Sequence, residues 1–201
     1  QGNGCAVTFA MPALRTVLWR PLDGAGVEHC TLRKLAKGVR LEGHVISTAD
    51  GLGGTVPLHV HYIVDTDSVW RTRAVSISQH YGTVQTTLRL DVINHRWWTA
   101  EGVEIPQLHW LIDVDLGVTP ATNTLPIRRL ALNVGQRADV TAAWLRFPAL
   151  TVEPLPQTYE RLAPNLYRYS SDGGRFSALL ETDDLGLVVR YEGGWERTAA
   201  A

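Results

Sequence analysis

"PLHVHYIVD", residues 57–65, alternates side chain by side chain. Leu58, Val60, Tyr62 and Val64 share one face of an extended chain, and His59, His61 and Ile63 share the other, because successive strand residues point in opposite directions. Both faces carry bulky groups. Such a strand needs cover on both sides, so its sheet is expected to curl until the concave side meets a helix, a ligand or its own opposite wall.

The same period of two runs through most of the chain. "RAVSISQ" alternates Val75 and Ile77 with Ser76 and Ser78, and "TVQTTLRLDV" sets Val84, Leu88, Leu90 and Val92 on one side. "TVLWR", "HCTLRKLA", "VRLEGHVIS", "ADVTAAWLRF", "RFSALLETD" and "GLVVRY" add further strands. Turn residues separate them: Asp23-Gly24, Lys37-Gly38, "DGLGG" at 50–54, "HYG" at 80–82, "SDGG" at 171–174 and Leu185-Gly186. Strands recurring at this spacing predict an antiparallel meander, not βαβ units. Two helical turns are predicted, one in "PQTYERLA" at 156–163 and one in "LPIRRLAL" leading into a strand. The expected fold is mainly β: a single curled antiparallel sheet forming a partly open barrel or roll, with one or two short helices.

The 201 residues suit one all-β domain, and 45% hydrophobic against 19% charged residues is enough apolar material for a core and too little charge for disorder. With 19 basic and 20 acidic residues there is no basic excess to hold nucleic acid or an anionic membrane. No apolar run approaches the ~20 residues of a membrane span. Residues 1–10 read as a vector-derived or upstream-translated leader, with residues 11–201 as the domain, because the lone methionine is Met11. Cys5 falls in that leader, leaving Cys30 as a small buried hydrophobe. One thiol builds no disulfide framework, which points to a cytoplasmic protein.

Sites of chemistry are sparse. His59 and His61 form an H-x-H pair of the kind that some metal sites use, but His44, His80, His95 and His109 stand at no distinctive spacing to supply a third ligand, so no metal and no cofactor are assigned. "DGLGGT" joins two strands and opens no helix, which argues against a phosphate cradle. Asp65 and Asp67 in "DTDS" read as turn residues. Seven tryptophans suit either core packing or the lining of a cavity. The least ordinary stretch is "DVDLGVTPATNTLPIRRL", residues 113–130. Asp113 and Asp115 share a strand face, where they serve either as an acid and base pair or as acceptors for Arg128 and Arg129 that pin an irregular loop.

That stretch resembles the central motif of the putative glycolipid-binding family, a bacterial family. "VLWR", "YIVDTDSVWRTRAV", "RWW", "LALNVGQ", "FPALTVEPLPQTYERL", "YRYSS" and "RFSALLETDDLGLVVRYEGGW" agree in order, from about residue 17 to 197. The resemblance implies a curled sheet similar to that of lipoprotein-localisation carriers, and a binding or carrier role for a glycolipid or similar amphiphile. Matching positions are Asp113, Asp115, Thr119, Pro120, Thr122, Asn123, Thr124, Arg128, Arg129, Gln157, Tyr159, Tyr169 and Tyr191. The residues expected to bind are Asp113, Asp115, Thr122, Asn123, Arg128, Arg129, Tyr159 and Trp70. Two departures stand out: Trp110-Leu111 where the family leads one to expect Gly-Cys, and Glu192 where it leads one to expect proline. The first is expected to add bulk beside the motif. A small enzyme using Asp113 or Asp115, and a purely structural module, remain alternatives, and neither the ligand nor the oligomeric state is legible.

Overall fold

The computed structural model describes residues 13–22, 24–51 and 53–201. The candidate leader, Met11, Cys5, Asp23 and Leu52 lie outside the described residues. The alternating segments all become strands: β1 (Ala13–Pro21), β2 (Gly26–Leu35), β3 (Gly38–Gly51), β4 (Gly54–Thr66), β5 (Thr72–Tyr81), β6 (Val84–Ile93), β7 (Arg96–Thr99), β8 (Asp113–Leu116), β9 (Arg137–Arg146), β10 (Thr151–Ala163), β11 (Leu166–Ser171), β12 (Phe176–Thr182), β13 (Val188–Tyr191) and β14 (Trp195–Ala200). They form one 14-stranded sheet in the order β7-β6-β5-β4-β3-β2-β1-β14-β13-β12-β11-β10-β9-β8. Two meanders, β1–β7 and β9–β14, meet where β1 pairs with β14. β7 and β8 are its two edges, so the roll stays open.

One pairing departs from the antiparallel expectation. β8 runs parallel to β9, with Asp115 opposite Trp144. Parallel neighbours need a crossover, and residues 117–136 supply it through α1 (Thr124–Leu130). Helix and motif fill the concave side. Leu116, Ala121, Leu125 and Ile127 belong to one buried core with Val60, Tyr62, Val75 and Leu180. The curvature is assisted by register shifts at Leu18/Trp19, Asp65/Thr66 and Glu181/Thr182, each of which bends its strand.

The decisive stretch behaves as its alternation requires. Leu58, Val60, Tyr62 and Val64 are buried, while His59, His61 and Ile63 lie on the convex face, half exposed. Tyr62 is admitted by Gly43 on the neighbouring strand, where an added Cβ would come within 2.4 Å of the tyrosine side chain. The Tyr62 hydroxyl donates to Glu28 Oε1 at 2.5 Å, and Thr119 Oγ1 of the motif donates to the same oxygen at 2.7 Å. A buried carboxyl thus ties the crossover to the sheet. Burial pushes Glu28 up to about 7, against the pull of those two hydrogen bonds.

Two local readings are overturned. "PQTYERLA" belongs to β10 and is not helical: its helix-forming composition loses to pairing with β9 and β11, which buries Gln157 and Tyr159 alternately. Asp65 is not a turn residue either. It lies within β4 in a bidentate pair with Arg40, at 2.6 and 2.8 Å, whereas Asp67 does cap its turn by accepting from the Val69 and Arg71 amides. The predicted turn in "LPIRRLAL" is α1, although β9 begins only at Arg137.

Trp110 does not crowd the motif. It is 73% exposed, stacked on His95, and held at φ +67°, a left-handed conformation that suits glycine. Trp110→Gly is therefore expected to stabilise the protein by about 1 kcal/mol, a rise of roughly 2–4 °C in Tm. A fall in Tm would show that the His95 stack outweighs the backbone strain.

Candidate binding cavity

The concave side of the C-terminal meander holds a cavity of about 710 Å³. Its position follows from two prolines. β10 pairs with β9 over 151–160 but with β11 only from Gln157 onward, so Pro154 and Pro156 sit where β10 has a neighbour on one side alone. Proline has no N–H to offer a second strand, which suits it to such a one-sided stretch. The resulting gap, between 154–156 and the β11–β12 hairpin around Asp172 and Phe176, forms part of the cavity wall.

Aromatic rings furnish much of the interior. Tyr169, Tyr191 and Trp195 line it in a chain of edge contacts, with ring centroids 6.3 Å apart for Tyr169–Tyr191 and 5.3 Å for Tyr191–Trp195. Trp144 stands on another wall beside Gly117, where an added Cβ would come within 2.9 Å of its indole nitrogen. Phe176, 46% exposed, also lines the cavity. Between the rings lie polar groups of the motif. Asp115 accepts from Gln157 Nε2 at 2.5 Å, and Asn123 Oδ1 accepts from the Tyr159 hydroxyl at 2.8 Å. Burial raises Asp115 to about 6, the Gln157 hydrogen bond opposing it.

The charged lining is of one sign. Asp115, Glu153, Asp172 and Glu192 contribute, and among the described residues no lysine, arginine or histidine lines this cavity. Glu192 occupies the place of the expected proline and uses what proline lacks: its N–H donates to Leu179 O, and its carboxylate accepts from the Leu179 N–H.

The residues expected to bind are therefore divided. Asp115 and Asn123 line the cavity. Tyr159 positions Asn123, and Thr122 accepts the Leu116 amide at 3.2 Å, shaping the turn that presents Asp115. Asp113 and Arg129 form a buried bidentate pair, so Arg129 is the partner of the aspartate that the loop-pinning reading anticipated. Burial raises the Asp113 carboxyl and Arg129 pulls it back partway. Arg128 does not join that pair. It lies over the Trp70 ring at 5.3 Å and bonds the Asp184 carbonyl, away from the cavity lining. Consecutive helix residues point about 100° apart, which is why the two arginines part company.

Trp144, Trp195 and the proline pair escaped the sequence reading. They converge only through the β8–β9 pairing and the β1–β14–β13 seam, which leave no local signal. Tyr169, Tyr191 and Gln157 had a signal, since they match the family pattern.

The family model described as Putative glycolipid-binding matches residues 16–197. The chain belongs to that family. A crystal structure of a DUF1089 family protein from Pseudomonas aeruginosa is 29% identical, covering 96% of this chain and 100% of that one, with a TM-score of 0.76. No curated protein matches the chain. No helix among the described residues is long and apolar enough to cross a membrane.

Proposed function

We propose that this member of the glycolipid-binding family is a non-catalytic binding protein, and a carrier, for an amphiphile whose headgroup is an uncharged sugar. The carrying observation is the cavity's composition: aromatic rings beside Asp115 and Asn123, with acidic and no basic side chains. Ring faces stack on the apolar faces of pyranosides, while carboxylate and amide groups accept and donate to hydroxyls. A phosphate or carboxylate headgroup would meet the carboxylates of Asp115 and Glu192 with no basic side chain in the lining, while Glu153 and Asp172 are already paired with Arg146 and Arg175 outside it. Phe176, Leu155 and Pro21 add apolar surface to the lining, which in this reading covers the first methylenes of the lipid chain. The free buried thiol of Cys30 suits a reducing cytoplasm.

The test is titration with an alkyl glucoside below its micelle concentration and, in parallel, with a short-chain phosphatidylglycerol, read by tryptophan fluorescence and calorimetry. The glucoside is expected to bind. Trp195→Ala is expected to weaken it about 5–10-fold, the equivalent of roughly 1–1.5 kcal/mol of ring contact. Preference for the anionic lipid, or indifference to Trp195→Ala, would defeat the reading.

One observation favours a second reading, an enzyme acting on the same sugar. Asp115, raised to about 6, is a carboxyl suited to acid catalysis near neutrality. Hydrolysis of an aryl glycoside that is lost in Asp115→Asn would establish it.

A further inference from the structure

The histidine pair on the decisive strand gains partners in the folded sheet. Five of the seven histidines, His29, His44, His59, His61 and His80, project from the convex face of β2–β5. Register places His44 directly opposite His61 and His29, and His59 opposite His80. We propose that His44, His59 and His61, with Glu42 beside them, form a site for a divalent transition-metal ion of the zinc class, on the opposite face of the sheet from the cavity.

Two features carry this. First, two separate pairs of donors already stand at the spacing that an ion imposes. A tetrahedral ion with bonds of about 2.0–2.1 Å holds its ligand atoms roughly 3.4 Å apart. His44 Nδ1 and His59 Nε2 stand 3.4 Å apart, and His61 Nε2 stands 3.3 Å from Glu42 Oε1. Second, the supports are rigid. The four residues lie on β3 and β4, which pair continuously from Arg40↔Asp65 to Gly51↔Gly54, and they alternate with buried Leu41, Gly43, Val45, Val60 and Tyr62. The Cβ atoms are fixed while the rings remain open to solvent.

As the rings stand, His44 and His61 are stacked with centroids 4.2 Å apart and planes at 6°, and no three such groups among the described residues converge on one point. Metal capture therefore includes turning the His61 ring off that stack, a side-chain rotation on an open surface that leaves the strands in place. An N₃O donor set of this kind suits zinc, nickel or copper and does not suit magnesium or calcium.

The test is calorimetric titration of the full chain with zinc chloride near pH 7.5, repeated near pH 5.5 where imidazoles protonate. One equivalent is expected to bind at the higher pH and to be lost at the lower. His44→Ala, His59→Ala and His61→Ala are each expected to weaken binding at least about tenfold, since even an outer partner of a metal ligand is worth that much. His109→Ala, which alters a histidine beside Glu104 outside the cluster, is expected to leave binding unchanged. Absence of saturable uptake by the wild-type chain would overturn the site, as would uptake that survives the double substitution of His59 and His61 by alanine. Far-ultraviolet circular dichroism confirms folding of each variant.

Discussion

Arg129→Ala is expected to cost about 3–5 kcal/mol, lowering Tm by roughly 10–15 °C. Arg129 reaches Asp113 with two donors, and the Asp113 side chain is only 2% exposed. Removing the guanidinium leaves a buried carboxylate without its counter-charge, and that uncompensated charge dominates the loss. The pH dependence separates this account from simple loss of packing. In R129A the folded-state pKa of Asp113 rises further above its unfolded value, so the folded chain retains a proton that the unfolded chain releases as pH rises. The deficit is therefore smallest near pH 4 and grows toward neutrality. Asp113→Asn in the R129A background is expected to recover much of the stability at neutral pH. Chemical denaturation across pH measures both, and a deficit that is flat with pH and unrelieved by Asp113→Asn would assign the effect to packing.

The second large effect is expected at Glu28. Its folded pKa of about 7 lies above the ordinary value of 4.5. Below about pH 4.5 both folded and unfolded chains hold the proton, and nothing is lost. Between 4.5 and 7 the unfolded chain releases its proton and the folded chain keeps it, so stability falls as pH rises, by about 3 kcal/mol in all. An amide does not titrate. E28Q preserves an acceptor for Tyr62 and Thr119 and is expected to gain about 3 kcal/mol relative to wild type between pH 4.5 and pH 8. Parallel stability profiles for the two proteins would show that Glu28 ionises freely when folded. Asp115 titrates in both proteins and drops out of the difference.

These two groups also show how far sequence reading reaches. The alternation in 57–65 was enough to place Tyr62 inside and His59 and His61 outside, because strand periodicity is a local property. Nothing local indicated that Tyr62 would donate to Glu28, since that contact depends on the pairing of three strands and on Gly43 leaving room. The tie between Asp113 and Arg129 was legible because the two lie close in sequence, at the start of β8 and in the crossover that follows it. The same nearness misled for Arg128, whose helix position turns it toward Trp70. In β10, helix-forming side chains obscured a strand until two neighbours were available to pair with it. The cavity walls were the least legible, because Trp144 and Trp195 belong to strands that meet only after the sheet has rolled.

The stretch at Pro154 and Pro156, laddered on one side only, has a kinetic consequence. A wall segment whose prolines cannot extend the ladder toward β11 has no backbone latch there to release. For a ligand of this cavity, arrival is then set by diffusion and by the orientation of its headgroup, with no preceding isomerisation of the protein. Residence time is set by the contacts inside, so affinity differences among ligands of this cavity will be written almost entirely in their off-rates.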